Sequence, residues 1–263
     1  MTGIACQMYT VREFTRTESD LARTLLRLRD IGYTAVQMSA IGAMNGDRPV
    51  VTAARARQLL DDAGISCIAT HRPWDRLVNE LQQEIEFHQA LGCDFAAVGS
   101  IPAEYRSDGE DGYRRFGAEA SSLARRLQGS GIAFGYHNHD FEFERARATG
   151  TSLLDALLEG TEPLMLELDV YWAQHAGCDP SSILVKNRGR VPVIHIKDKE
   201  VTAETGPVMA PIGEGNLDWA AILEAGGTAG VRWLAVEQDE CRRDPFDCLT
   251  SSLRYLQNLV PGA

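Results

Sequence analysis

The chain has 263 residues, 44% of them hydrophobic, which is enough apolar material for a sizeable core. Lys and Arg number 26 against 37 Asp and Glu, a formal net charge of −11. That balance argues against tight nucleic-acid binding, which rests on neutralising phosphates. No apolar run approaches the roughly 18 residues of a membrane span, and the start, Met1 to Tyr9, lacks the basic segment of a signal peptide. Six cysteines (Cys6, Cys67, Cys93, Cys178, Cys241 and Cys248) are scattered without zinc-ribbon spacing. They fit reduced thiols in a cytoplasmic protein better than a disulfide framework. Composition is even and no Pro/Ser-rich linker divides the chain, so residues 1–263 are expected to form one domain.

In chain order, an opening apolar run spans Ile4 to Tyr9. Leu21, Leu25 and Leu28 then follow helical spacing up to Gly32, and the run Ala35-Val-Gln-Met comes next. The same rhythm recurs. Gly64 precedes Cys67-Ile-Ala-Thr. Leu77, Leu81 and Ile85 lead to Gly92 and Phe95-Ala-Ala-Val. Gly131 precedes Phe134-Gly-Tyr-His, Gly160 precedes Met165-Leu-Glu-Leu, Gly189 precedes Val193-Ile-His-Ile, and Gly230 precedes Leu234-Ala-Val-Glu. These seven glycines lie about 33 residues apart on average, the size of one βα unit. Asp179-Pro180, Asp218-Trp219 and Asp244-Pro245 predict helix starts behind an Asp cap. Eight strands alternating with eight helices predict an α/β fold, a (β/α)8 TIM barrel. The alternative, an open doubly wound sheet, usually carries a Gly-rich phosphate turn after its first strand. Here that turn is Tyr9-Thr-Val-Arg-Glu, without glycine.

In such a barrel the active site sits where the strands end. The last four runs end in His137-Asn-His139, Glu167-Leu-Asp169, His195-Ile-Lys197 and Glu237-Gln-Asp239. Residues i and i+2 of a strand share a face. A charge against the apolar helix layer is costly, and Leu168, Ile196 and Val236 suit that layer. The ionisable pairs are therefore expected in the lumen near its open end. Imidazoles and carboxylates together suit one divalent metal ion, Mn, Zn, Co or Mg.

The segments Tyr136-His-Asn-His-Asp-Phe-Glu-Phe143, Glu167-Leu-Asp-Val-Tyr-Trp172, His195-Ile-Lys-Asp198, Ile212-Gly-Glu-Gly-Asn-Leu-Asp-Trp219 and Val236-Glu-Gln-Asp239 resemble the xylose isomerase-like TIM-barrel superfamily. That group includes sugar phosphate isomerases/epimerases, ketose 3-epimerases, inosose dehydratases and apurinic endonuclease IV. The resemblance covers strands five to eight in order and spacing, and the first four in rhythm. It implies a one-metal site in which Asp169, His195 and Glu237 are ligands. Where relatives place a ligand Glu at the end of strand five, this chain has His137, so the implied fourth ligand is an imidazole. Glu142 and Glu167 are the carboxylates available to replace the missing one. Glu142 lies where some relatives hold a substrate hydroxyl.

Lys197 either stabilises an enediolate oxygen or neutralises Glu167 or Glu237. His71 and His139 are expected to touch substrate, and Trp172 to form an apolar wall against a sugar ring, a role in which Trp74 and His175 are weaker candidates. Asp198, Lys199 and Glu200 read as a solvated charge run, and Gly213-Glu-Gly215 as a loop that needs positive φ. His88 reads as a packing or surface residue, and Gln7 and Tyr9 as pocket floor.

The expected activity is isomerisation or epimerisation of a sugar or polyol through an enediolate. Glu237 acts as acid/base on one face, and His137, His139 or Glu167 on the other. A lyase of the inosose dehydratase or 3-keto-sugar eliminase kind shares the first proton abstraction and is the alternative. Three-zinc endonuclease chemistry needs more His and Glu ligands than the six histidines here allow. A sugar-binding barrel without a metal is the non-enzymatic reading. The expected partner is a small molecule, with no nucleic acid and no membrane; a homo-oligomer is left open.

Overall fold

The computed structural model describes residues 2–46 and 48–260. Eight parallel strands close into a barrel: β1 (Gly3–Gln7), β2 (Ala35–Met38), β3 (Ser66–His71), β4 (Phe95–Val98), β5 (Ala133–His137), β6 (Met165–Asp169), β7 (Val193–Ile196) and, after an excursion, β10 (Trp233–Val236). Each pairs with its sequence neighbour around the ring, and β1 closes against both β10 and β2. Seven of the eight apolar runs read from sequence lie within about a residue of these strands. The first turns after Gln7 into a 3-10 segment (Met8–Phe14), because the Gln7 side chain caps Tyr9 N at 2.7 Å.

The helices form the outer layer. They are α1 (Glu18–Ile31), α2 (Ala53–Ala63), α3 (Trp74–Asn79), α4 (Leu81–Leu91), α5 (Ala103–Arg106), α6 (Gly109–Gln128), α7 (Leu153–Leu158), α8 (Val170–His175), α9 (Pro180–Lys186), α10 (Trp219–Ala229) and α11 (Pro245–Leu259). Three connections carry two helices where one was expected. The seven punctuating glycines all take positive φ, from 66° to 120°, the conformation that lets a chain leave a helix and turn back into a strand. Asp179 accepts from Ser181 N and Ser182 N at 3.1 Å, Asp218 from Ala221 N at 3.0 Å and Asp244 from Phe246 N at 2.8 Å, as expected of caps.

A hairpin the apolar pattern did not announce, β8 (Asp198–Thr202) with β9 (Gly206–Ala210), follows β7 at the C-terminal mouth. Asp198, expected in a solvated charge run, is completely buried. Its Oδ2 accepts from Gly213 N (2.9 Å), Gly215 N (3.2 Å) and Trp219 Nε1 (2.7 Å), and its Oδ1 from Lys199 N (2.8 Å) and Leu217 N (3.2 Å). Five N–H donors offset the cost of burying this charge.

Period-two alternation sorts the barrel interior into layers. Leu166, Leu168, Ile194, Ile196 and Val236 face the helices in the main core. Ala5, Ala35, Ala69, Phe95, Ala97, Val193 and Ala235 form a separate apolar plug inside the lumen. Phe95 is its largest member, and a Cβ at Gly135 would lie 2.7 Å from the Phe95 ring. Two residues further along β1, β2, β3, β5, β6, β7 and β10 stand Gln7, Gln37, His71, His137, Glu167, His195 and Glu237. The apolar plug is thus capped by a polar layer that opens at the strand ends.

Candidate active site

The four ionisable pairs meet in this layer. Asp169, His195 and Glu237 each offer a ligand atom within 4.8 Å of one another, and all three are buried. His71, His137, Glu167 and His195 form a second such set. His137 joins the two. Its Nε2 lies 3.9 Å from Asp169 Oδ2 and its Nδ1 3.6 Å from Glu167 Oε2. Register explains the depth. Glu167 pairs with Val193, whereas Asp169 pairs with His195, one pleat nearer the mouth.

Lys197 is buried, with Nζ 2.7 Å from Glu237 Oε2, 3.0 Å from Asp169 Oδ2 and 3.0 Å from Asp239. Its partners are therefore Glu237, Asp169 and Asp239, and Glu167 is not among them. Burial opposes its charge, but the three carboxylates outweigh that and raise its pKa. Burial would likewise lower His195, yet Glu167 and Glu237 push it up to about 10. Glu237 is held below the usual carboxylate range against burial, by Lys197 and His195. Burial, reinforced by His195 and His71, keeps His137 neutral, and burial with Lys197 takes His139 down to about 4.

Asp169 does two jobs. Its Oδ1 accepts from Trp172 N at 3.1 Å and caps α8. Its Oδ2 accepts no hydrogen bond, and Lys197 is an ion partner without hydrogen-bond alignment. Eight buried side-chain polar atoms lack a hydrogen-bond partner among the described residues, and four of them, His137 Nδ1, His139 Nδ1, Asp169 Oδ2 and Trp172 Nε1, belong to this site. Buried polar groups are almost always paired, so the concentration marks a place shaped for something that binds. The Asp, His and Glu donors, in net carboxylate excess, fit a divalent cation.

Trp172 lies against His139, ring centroids 5.7 Å apart, with Lys197 Nζ 5.6 Å from its ring. Trp74 instead packs on Phe116 and Tyr105 in the helix layer. His175 is exposed and stacks on Tyr171. Glu142 is completely buried, its oxygens taken by the Tyr136 hydroxyl and by His139 N, and burial pushes its pKa up to about 7. It therefore braces the segment that carries His139. His88 is a packing residue bonded to Thr70. A cavity of about 330 Å³ lined by Met38, Ser39, Ile41, His71, Arg72 and Arg76 opens beside His71. A larger one of about 740 Å³, around Arg106 and Tyr113, is lined by none of the ionisable pairs.

Two residues escaped the sequence reading. Gln37, buried on β2, donates from Nε2 to Glu167 Oε1 at 2.9 Å and faces His195 Nε2 with Oε1 at 2.9 Å. Asn138 accepts from Asp169 N at 3.0 Å and ties the ends of β5 and β6. Both are neutral amides and carry no ionisable signal in the sequence. Gln37 at i+2 from the lumen-facing Ala35 was the available signal.

The family profile of the xylose isomerase-like TIM barrel matches residues 25–259. The chain belongs to this family. Among solved structures it resembles a sugar phosphate isomerase/epimerase from Parabacteroides distasonis ATCC 8503, at 24% identity and TM-score 0.78 over 97% of this chain and 93% of that one. An L-ribulose 3-epimerase is similar at 19% identity and TM-score 0.71, over 98% and 94%. The probable 3-DHS dehydratase AsbF of Bacillus anthracis is similar at 12% and 0.70, over 98% and 99%. At these identities the likeness is one of fold. No curated protein sequence matches. No helix among the described residues is long and apolar enough to cross a membrane.

Proposed function

We propose that this protein is a divalent-cation-dependent isomerase or epimerase of a sugar or sugar-like polyol. The observation that carries the reading is the group of buried polar atoms without a hydrogen bond on His137, His139, Asp169 and Trp172 at the barrel mouth. Family membership and the fold shared with the L-ribulose 3-epimerase support it.

Asp169, His195 and Glu237 would hold the cation, with His137 Nε2 as the fourth donor. Bound there, it would supply polarisation of a carbonyl and offset charge developing on the carbonyl oxygen. Glu237 is the acid/base. Its Oε2 lies 2.7 Å from Lys197 Nζ and on the side of His195 Nδ1, toward the other donors, so Oε1 takes the proton from the carbon beside the carbonyl. The Lys197 ammonium faces the negative charge that develops on the enediolate oxygen. His139, three strands from β10 around the ring, is neutral at pH 7 and offers its unpartnered Nδ1 for proton transfer on the other face. Trp172 supplies the apolar wall and an unpaired indole N–H for a hydroxyl.

The test is deuterium exchange. Metal-stripped protein reconstituted with Mn2+, Co2+, Zn2+ or Mg2+ is incubated in D2O with a panel of ketoses and keto-polyols. Uptake of deuterium beside the carbonyl is expected, and Asp169→Ala is expected to lose both uptake and metal content. Full metal content in Asp169→Ala, with no exchange by the wild type, rejects the reading.

One observation favours elimination as a second reading. Glu167 is locked beneath His195, and His137 stands where the resemblance places a ligand Glu, so no second carboxylate on β5 or β6 is free to serve as a base. Elimination forms a conjugated, absorbing ketone, and epimerisation does not, so product absorbance separates the two.

A further inference from the structure

We propose that Gln37 and Glu167 are positioning residues that dictate which nitrogen of His195 points to the cation; this rests on the cation reading above. Gln37 reaches across the lumen from β2 to side chains on β6 and β7. A carboxylate oxygen only accepts, so Gln37 must turn its Nε2–H toward Glu167 Oε1, at 2.9 Å. Its own Oε1 then faces His195 Nε2 at 2.9 Å, which must carry a proton to donate. The other nitrogen, Nδ1, is the one left to ligate. It faces the mouth, 2.9 Å from Glu237 Oε2 and 4.0 Å from Asp169 Oδ2.

Glu167 is the fixed point of this latch. Its Oε2 contacts His71 Nε2 and lies 3.3 Å from His195 Nε2. With Gln37 on its other oxygen, it is committed on both sides and cannot rotate toward the mouth. The set of His71, His137, Glu167 and His195 is closed largely by its own hydrogen bonds, which makes it a support under the upper donors. Without Gln37 the Nε2 proton loses its closest acceptor, and the ring is no longer held with Nδ1 turned toward Asp169 and Glu237. Removing partners of this kind typically costs 10–100-fold in metal affinity.

The test compares three metal-stripped proteins by calorimetric titration with Zn2+: wild type, Gln37→Met and Gln37→Glu. Met keeps the length and removes the acceptor. Glu shares one proton with Glu167 and still offers an oxygen to His195 Nε2. A 10–100-fold weaker Zn2+ affinity is expected for Gln37→Met, and affinity within about threefold of wild type for Gln37→Glu. Long-range proton–nitrogen spectra of the zinc-loaded wild type should place the His195 proton on Nε2. Zinc on Nε2 in the wild type overturns the positioning role, even where Gln37→Met does not fold. Gln37→Met binding as tightly as wild type does the same. Absence of saturable Zn2+ binding in the wild type overturns the cation reading, and this inference falls with it.

Discussion

Replacing Asp198 by Asn removes one negative oxygen from a carboxylate that accepts five N–H bonds. The new amide has to direct its NH2 toward one set of donors. The less costly placement is the Oδ1 side, where Lys199 N and Leu217 N lose their acceptor while Gly213 N, Gly215 N and Trp219 Nε1 keep one. Each buried donor left unpaired costs about 1–3 kcal/mol. Two such donors at the lower part of that range, with the three remaining bonds weakened by loss of charge, give about 3 kcal/mol. Ala strands all five donors and is expected to cost about 5 kcal/mol or more. The order of effect is then wild type, Asn, Ala, measured by urea unfolding followed by tryptophan fluorescence. For a chain of this size about 3 kcal/mol corresponds to a fall of roughly 6–12 °C in Tm. The β8–β9 amides and those of residues 211–219 should lose hydrogen-exchange protection first, because Asp198 is their common acceptor. An Asn variant within 1 kcal/mol of wild type, with that protection unchanged, refutes the reasoning: it would mean that the five bonds are replaceable by water.

Lys197→Met leaves Asp169, Glu237 and Asp239 facing one another without their cation. The metal-stripped variant is expected to lose about 3–5 kcal/mol near neutral pH. The loss should shrink toward pH 4, because the carboxylates, their pKa values now raised, hold protons there; calorimetric Tm values at pH 4.5 and pH 8 check this, and equal losses at both refute it. Glu142, with its pKa pushed up to about 7 in the folded chain against 4.5 unfolded, keeps a proton that the unfolded chain releases. Its contribution is therefore present below pH 4.5 and falls by about 3 kcal/mol as pH rises to 7. Glu142→Gln should flatten the stability profile over that window, and an unchanged slope in urea titrations argues against it. His137→Glu replaces an imidazole that burial already keeps neutral with a charged carboxylate donor, so cation affinity at pH 7 should rise above that of wild type. An unchanged affinity by equilibrium dialysis indicates that His137 is no ligand.

The legible part of the site is the part that strand alternation governs. His137, Glu167, Asp169, His195, Lys197 and Glu237 were assigned to the lumen from i, i+2 spacing and apolar neighbours, and they meet there. Glu167 and Asp169 share a face and a strand, yet they differ in task. Only the register with β7 places one beneath His195 and the other beside it. Gln37 is a neutral amide, so its place in the site is not legible from the pattern of ionisable residues. Three consecutive charges at 198–200 normally signal solvent, and nothing local shows that residues 213–219 fold back over Asp198.

By itself the sequence determined the repeat, the helix ends and the inward face of each strand, because those depend on residues within one helical turn or one pleat. Tertiary structure decided who partners whom. Closing the barrel brings Gln37 against Glu167 and His195, 130 and 158 positions away, and sets Lys197 between Asp169 and Glu237. Those pairings fix the charge and orientation of each group, since in a buried layer the nearest partner outweighs the intrinsic preference of the side chain.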